Sequence, residues 1–263
     1  PRSTLFPYTT LFRSASFTDL DDLIRSGAVT IKLDTDIHLD ESEHQTFPSG
    51  IMLDADGICI DGAGHTIDAG GLDVFRVCGC DITLKDIEFS NAKIITYPSS
   101  KLNVTGCGFN GIGGEPRHLG GIIFNTGETR IIDSSFKNAN LTLEGSFGGA
   151  ISNHGTMSLE KCEFGENSAP SGGAIFNSNT MKVTACTFKS NTAAHGGAIM
   201  NRAKLRIHAS SFISNRNPIC NSGEIHVSES LFEANTDSAI SNYHEAKVTV
   251  HPSSPTGHPV VRQ

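Results

Sequence analysis

The 263-residue sequence predicts an all-β chain wound as a parallel β-helix, and three observations predict it. Residues 157–177, MSLEKCEFGENSAPSGGAIFN, return 24 positions later as residues 181–201, MKVTACTFKSNTAAHGGAIMN. Self-similarity at such a period marks a stacked repeat, in which no copy can bury its apolar face alone. A phenylalanine closes a similar segment at Phe89, Phe109, Phe136, Phe164, Phe188, Phe212 and Phe232. A second register runs through Ile123, Ile151, Ile175, Ile199, Ile219 and Ile240, each two residues before Asn125, Asn153, Asn177, Asn201, Asn221 and Asn242.

Within a copy the side chains alternate. Met181, Val183 and Phe188 are apolar, while Lys182, Thr184 and Thr187 are not. That alternation specifies short strands, each pairing in parallel with its equivalent ~4.8 Å away. The phenylalanines are expected to point inward and stack. Two residues before them, Cys107, Cys162 and Cys186 alternate with Ser134, Ser210 and Ser230. These cysteines therefore read as small buried residues rather than metal ligands. The Gly-Gly pairs are expected to supply positive φ at a corner, and the alanine after them to make room for the next coil. The asparagines are placed at corners, in the left-handed conformation, with amides able to bond from coil to coil.

In chain order, residues 1–15 are set aside. Thr4–Ser14, TLFPYTTLFRS, resembles the in-frame translation of a sequencing-library adapter and is expected to be disordered. Residues 16–27, SFTDLDDLIRSG, predict a helix with Thr18 as N-cap, Gly27 at its end and an apolar stripe of Leu20, Leu23 and Ile24. Such a helix would cap the open end of a solenoid, where apolar side chains and unpaired edges are exposed. Residues 28–250 form the β-helix, with strands at Ile51–Leu53 and Ile58–Ile60. His65, 24 residues before Phe89, is placed at the head of the phenylalanine column as a structural residue. Residues 251–263 carry three prolines and read as a linker or a truncated end.

Phe-x-x-Asn recurs at 164–167, 188–191, 212–215 and 232–235, and Gly-Gly-Ala-Ile at 148–151, 172–175 and 196–199, with Gly-Gly-Ile-Ile at 120–123. Over residues 101–246 this paired motif resembles the polymorphic outer membrane protein repeat and adhesin-like proteins of microbial surfaces. The segment Ile58–Asp68 resembles an early coil of pectate-lyase-like β-helices. The resemblance implies a right-handed parallel β-helix, an extracellular or cell-surface location and a non-catalytic part of a longer surface protein. It implies extracellular glycans or cell-surface proteins as partners. Pro218-Ile219 and Ser238-Ala239-Ile240 depart from the motif, which puts the corner geometry there in question.

A formal net charge of −8 with no basic stripe argues against nucleic acid, and no apolar run is long enough to span a membrane. No cofactor or metal is expected: Asp54-Ala55-Asp56-Gly57 opens like a Ca²⁺ loop but lacks the later ligands. Asn103-Val104-Thr105 and Asn140-Leu141-Thr142 fit the glycosylation pattern. Six residues before successive phenylalanines, Arg130, Lys182, Arg206 and His226 form a partial outward column suited to an acidic glycan. The competing function is a polysaccharide lyase or glycoside hydrolase on the same fold. Its candidates are Asp86 and Asp133, two coils apart, hence ~9.6 Å, just beyond the ~6.5–9.5 Å of an inverting carboxylate pair.

Overall fold

The structure is a computed structural model that describes residues 10–12, 16–112, 120–243, 245–251 and 261–262. It is a right-handed parallel β-helix of three sheets, holding 11, 10 and 9 strands. Each coil visits the sheets in the same order. In the coil of Phe188, Thr180–Thr184 lies in sheet 1, Thr187–Lys189 in sheet 2 and Ile199–Asn201 in sheet 3. All pairings between coils are parallel, and they run in register, as in Met157↔Met181↔Leu205↔Ile225, apart from one shift between Lys93 and Ile94 where their strand meets Asp73–Val77.

The interior is a set of like-on-like columns. The seven phenylalanine rings stack with centroids 4.6–5.0 Å apart and planes within 10° of parallel. Below Phe89 the column continues as Ile67 and Ile37. His65 is therefore not its head. The coil beneath Phe89 is shorter than the 24-residue repeat, so the residue under Phe89 lies 22 positions back, and His65 faces outward against Asp36 at 3.3 Å.

Buried asparagines form two columns. In sheet 3 each amide donates to the next: Asn125 to Asn153, Asn153 to Asn177, Asn177 to Asn201, Asn201 to Asn221 and Asn221 to Asn242, at 2.7–2.8 Å. The Phe-x-x-Asn residues form the second, Asn167 to Asn191 to Asn215 to Asn235, at 2.9–3.2 Å. Each of these amides also bonds backbone, as Asn191 does to the Phe164 carbonyl at 3.0 Å. The corner between strands can thus be buried without orphaned polar groups. The Cys/Ser column works similarly. The Cys186 N–H donates to Ser210 Oγ at 3.1 Å, and Ser210 Oγ donates to the His208 carbonyl at 2.9 Å. A thiol can take either part, which is why Cys and Ser interchange there.

The left-handed corners differ from expectation. None of the ladder asparagines has positive φ. Positive φ falls instead three residues before each phenylalanine, at Asp86, Gly106, Asp133, Lys161, Ala185, Ala209 and Glu229, and two residues after. In the Gly-Gly pairs only the first glycine is left-handed, at φ 65–66° for Gly148, Gly172 and Gly196. The second is glycine for space: a Cβ on Gly197 would lie 2.0 Å from the Arg216 carbonyl oxygen of the next coil. Where the motif lapses, Ile219 and Ile240 stay in register, and Asn217 and Asp237 take positive φ, as short polar residues can.

Thirteen positions separate Ile123 from Phe136, Ile151 from Phe164, Ile175 from Phe188, Ile199 from Phe212 and Ile219 from Phe232. From Ile123 onward the arc through sheet 1 is thus constant, and length variation falls between sheets 2 and 3. Those longer connections fold over sheet 3. Its outward residues Phe176, Met200 and Cys220 are buried beneath Phe147, and Arg202 lies 5.1 Å over the Phe176 ring. Sheet 3 is therefore covered over these coils, while sheets 1 and 2 present open faces.

The helix spans Phe17–Arg25 and packs Phe17, Leu20 and Ile24 into the core at the N-terminal end, against Phe47 and the strand Ile51–Leu53. Its N-cap is Ser16, whose Oγ accepts from the Asp19 N–H at 3.1 Å, rather than Thr18, which is engaged with Glu43 at 2.7 Å. Thr10–Phe12 is placed as an edge strand beside Thr30–Leu33, against the expectation of disorder there; residues 1–9 and 13–15 lie outside the described residues. At the other end, Lys247–His251 and Val261–Arg262 continue sheets 1 and 3, past the boundary expected at residue 250.

Candidate functional site

The five-residue strands of sheet 1 up to Glu224–Ser228 bury their second and fourth side chains and turn the first, third and fifth outward; in Lys247–His251 the second and fourth are half-buried. Register then builds three outward columns. The central one reads Arg130, Ser158, Lys182, Arg206, His226 and Thr249, so the four sequence-predicted residues do share a column, with Ser158 interrupting it. The column beside it reads Thr180, Lys204, Glu224 and Lys247, and the third Thr184, His208, Ser228 and His251.

Charge divides this face into two halves. In the lower coils, cations meet carboxylates one coil away: Lys85 with Asp61 at 2.8 Å, Lys101 with Asp81 at 3.9 Å and Arg130 with Glu160 at 3.4 Å. In the upper coils Lys182, Lys204, Arg206 and Lys247 have no carboxylate within 4.0 Å among the described residues. The carboxylate set among them, Glu224, accepts from His226 at 3.0 Å. That hydrogen bond, with the nearby charges of His226, Lys204 and Lys247, holds its carboxyl below the usual range. Arg130 thus belongs to the neutralised half, whereas Lys204 and Lys247 join the patch.

Asp86 and Asp133 lie elsewhere, at the left-handed corner between sheets 1 and 2, with φ 51° and 48°. Both are exposed, and Gly106 stands in the coil between them. A Cβ on Gly106 would lie 2.5 Å from Asp86 Oδ1, so the carboxylate leans across that gap. A shallow groove of about 380 Å³ beside Asp133 is lined by Glu88, Gly108, Lys161 and Glu163. The structure therefore separates the candidate carboxylates from the basic patch. No three His, Cys, Asp or Glu side chains converge to hold a metal among the described residues, and Asp56 Oδ1 instead accepts the Asp81 N–H at 2.9 Å. No helix among them is long and apolar enough to cross a membrane.

No protein-family model matches this chain, and no curated protein matches it. Among solved structures it is similar to "L. reuteri 53608 SRRP", at 11% identity and a TM-score of 0.36, with 90% of this chain and 97% of that chain covered. A likeness at that level carries no functional argument.

Two features escape the phenylalanine-based numbering. Lys204 stands eight residues before Phe212, outside the column six residues before the ring, and Lys247 has no phenylalanine after it. Sheet 2 also carries an outward groove of about 480 Å³ around Gly165. Its signal in the sequence is a glycine where neighbouring repeats hold lysine: Lys137, Gly165 and Lys189 are consecutive in register.

Proposed function

We propose that this chain is a non-catalytic, extracellular or cell-surface β-helix that binds an acidic polysaccharide along the upper coils of sheet 1. The observation that carries this reading is the patch of Lys182, Lys204, Arg206 and Lys247, cations with no carboxylate within 4.0 Å among the described residues, on a protein of net charge −8. Lys85, Lys101 and Arg130 lower on the same face are paired coil by coil, whereas these four share the single carboxylate of Glu224 and are incompletely neutralised. Lys182 and Arg206 are direct neighbours, ~4.8 Å apart at the backbone, so they present charge at a fixed pitch along the helix axis. An extended polymer carrying carboxylate or sulfate groups along its length can meet several of them at once. Arg206 adds a planar fork suited to either anion. The repeat resemblance supports the surface location.

The test is affinity electrophoresis in gels containing polygalacturonate or chondroitin sulfate, with neutral dextran as control. Retardation in at least one acidic gel, absent in dextran, is expected. Lys182→Ala with Arg206→Ala should weaken it at least about tenfold, and added salt should weaken it further, as for screened surface charges. Release of an unsaturated or reducing-end product, lost in Asp86→Ala or Asp133→Ala, would instead establish the enzyme reading and overturn this one.

A further inference from the structure

Every glycine but one among the described residues has a local reason to be glycine. Each either has positive φ or sits where a Cβ would come within 3 Å of a neighbouring atom. Gly165 has neither: its φ is ordinary, and the nearest atom to an added Cβ would be Lys137 Cγ at 3.8 Å. A glycine in a strand weakens it, since it pays extra backbone entropy and packs no side chain. In such positions it commonly marks where something approaches the backbone closely.

What it leaves open is the groove on sheet 2. Lys137 and Lys189 stand one coil to either side of Gly165, and their backbones are therefore ~9.6 Å apart. Glu163 and Glu166 complete the walls, with Thr187 at one side. At about 480 Å³ the groove falls within the range of ligand pockets, ~300–1,000 Å³. Its two cations and two carboxylates balance, so no net charge selects an anion. Lys137 and Glu163 are only loosely paired at 4.0 Å with both side chains more than half exposed, so a ligand can part them at little cost. Donors and acceptors alternate around an uncharged peptide floor. A sugar hydroxyl, both donor and acceptor, can use each of these groups, whereas an anion is attracted by half of them and repelled by the rest. Glu163 also lines the groove beside Asp133, so the two depressions adjoin, leaving room for more than one sugar unit.

We propose that the Gly165 groove is a binding site for a neutral oligosaccharide, separate from the basic face of sheet 1, and that Gly165 is there to keep it open. The test is amide-resolved NMR titration of the full chain with cellohexaose, xylohexaose, mannohexaose and maltohexaose in turn. At least one should shift the amides of residues 163–166 and 187–189. Gly165→Thr should weaken that binding at least about tenfold while moving Tm by no more than about 2 °C, because the site has both the space and the φ for a side chain. Lys182→Ala with Arg206→Ala should leave it unchanged, which keeps this site distinguishable from the acidic-polymer site. The proposal is overturned if none of the four sugars shifts these amides, or if Gly165→Thr binds as the native chain does. It also fails if Gly165→Thr unfolds the coil, since the glycine would then be structural.

Discussion

Removing one ring from the middle of the stack tests whether the column holds the solenoid together. Phe188 is fully buried, with Phe164 and Phe212 each 4.8 Å away and within 6° of parallel. Phe188→Ala loses the buried ring, leaves a cavity and breaks two aromatic contacts. Truncating a buried aromatic costs about 3–5 kcal/mol, of which each stacked pair accounts for roughly 0.5–1.5 kcal/mol. Phe232 has one stacked neighbour, at 4.7 Å, and is only partly buried. Phe232→Ala should therefore cost roughly half as much, about 2 kcal/mol. Urea denaturation reads the totals. Hydrogen exchange reads their location, because a coil contacts only its neighbours and damage should stay between residues 157 and 215. Lys182→Ala, outward on the same coil, should change stability by less than about 0.5 kcal/mol. Equal costs for Phe188→Ala and Lys182→Ala, or exchange quickened equally at Ile58–Asp61, would refute the column as the local unit of stability.

Two further substitutions probe other terms. Gly197→Ala should cost about 3 kcal/mol in urea denaturation, because its Cβ would meet the Arg216 carbonyl oxygen at 2.0 Å and the coils would have to separate; a cost below ~1 kcal/mol would show that the corner yields easily. Lys93 is buried on sheet 3, its amine without a hydrogen-bond partner among the described residues and 5.8 Å from the Phe124 ring, and burial lowers its pKa to about 8. Below pH 8 folded and unfolded chains both hold the proton, and the full cost of the buried charge is present. Between pH 8 and ~10.4 the unfolded chain keeps a proton the folded one has released, so stability rises with pH. Lys93→Met should therefore gain roughly 3 kcal/mol at pH 7 and lose most of that gain by about pH 11. A gain independent of pH would contradict it.

The fold was legible because the same physical demand recurs in every coil. Stacked in-register strands force like residues onto like, so Phe188 and Asn177 announce their columns by returning at fixed offsets from Ile175. What failed were inferences carried across a change of coil length. The position 24 back from Phe89 is His65, but the coil there is two residues shorter and Ile67 takes the place. Backbone conformation was legible only in part. Glycine is required at both positions of Gly196-Gly197, but for different reasons, and the letters do not distinguish left-handed backbone from close approach. Conversely, Asp133, Lys161 and Ala185 hold a left-handed corner with no residue type to signal it. Phe17 entered the core unnoticed because it begins the helix rather than recurring along it.

The candidate sites were less legible for a related reason. A repeat records what the scaffold needs at each column, so chemistry must be sought in departures from the column. In the lower coils of sheet 1, Lys85, Lys101 and Arg130 meet carboxylates one coil away, and the departure is Lys182, Lys204, Arg206 and Lys247, which have Glu224 set among them but no carboxylate within 4.0 Å among the described residues. Across sheet 2 the column places Lys137 and Lys189 in register, and the departure is Gly165 between them. The first leaves four cations incompletely neutralised and the second gives up the side chain that would stiffen a strand. Neither is demanded by the interior, which is continuous beneath both. A departure that the core does not require, on a face that the connections leave uncovered, is what a ligand-binding surface on a solenoid should look like. Sheet 3, whose outward residues Phe176 and Met200 are buried, offers no such face.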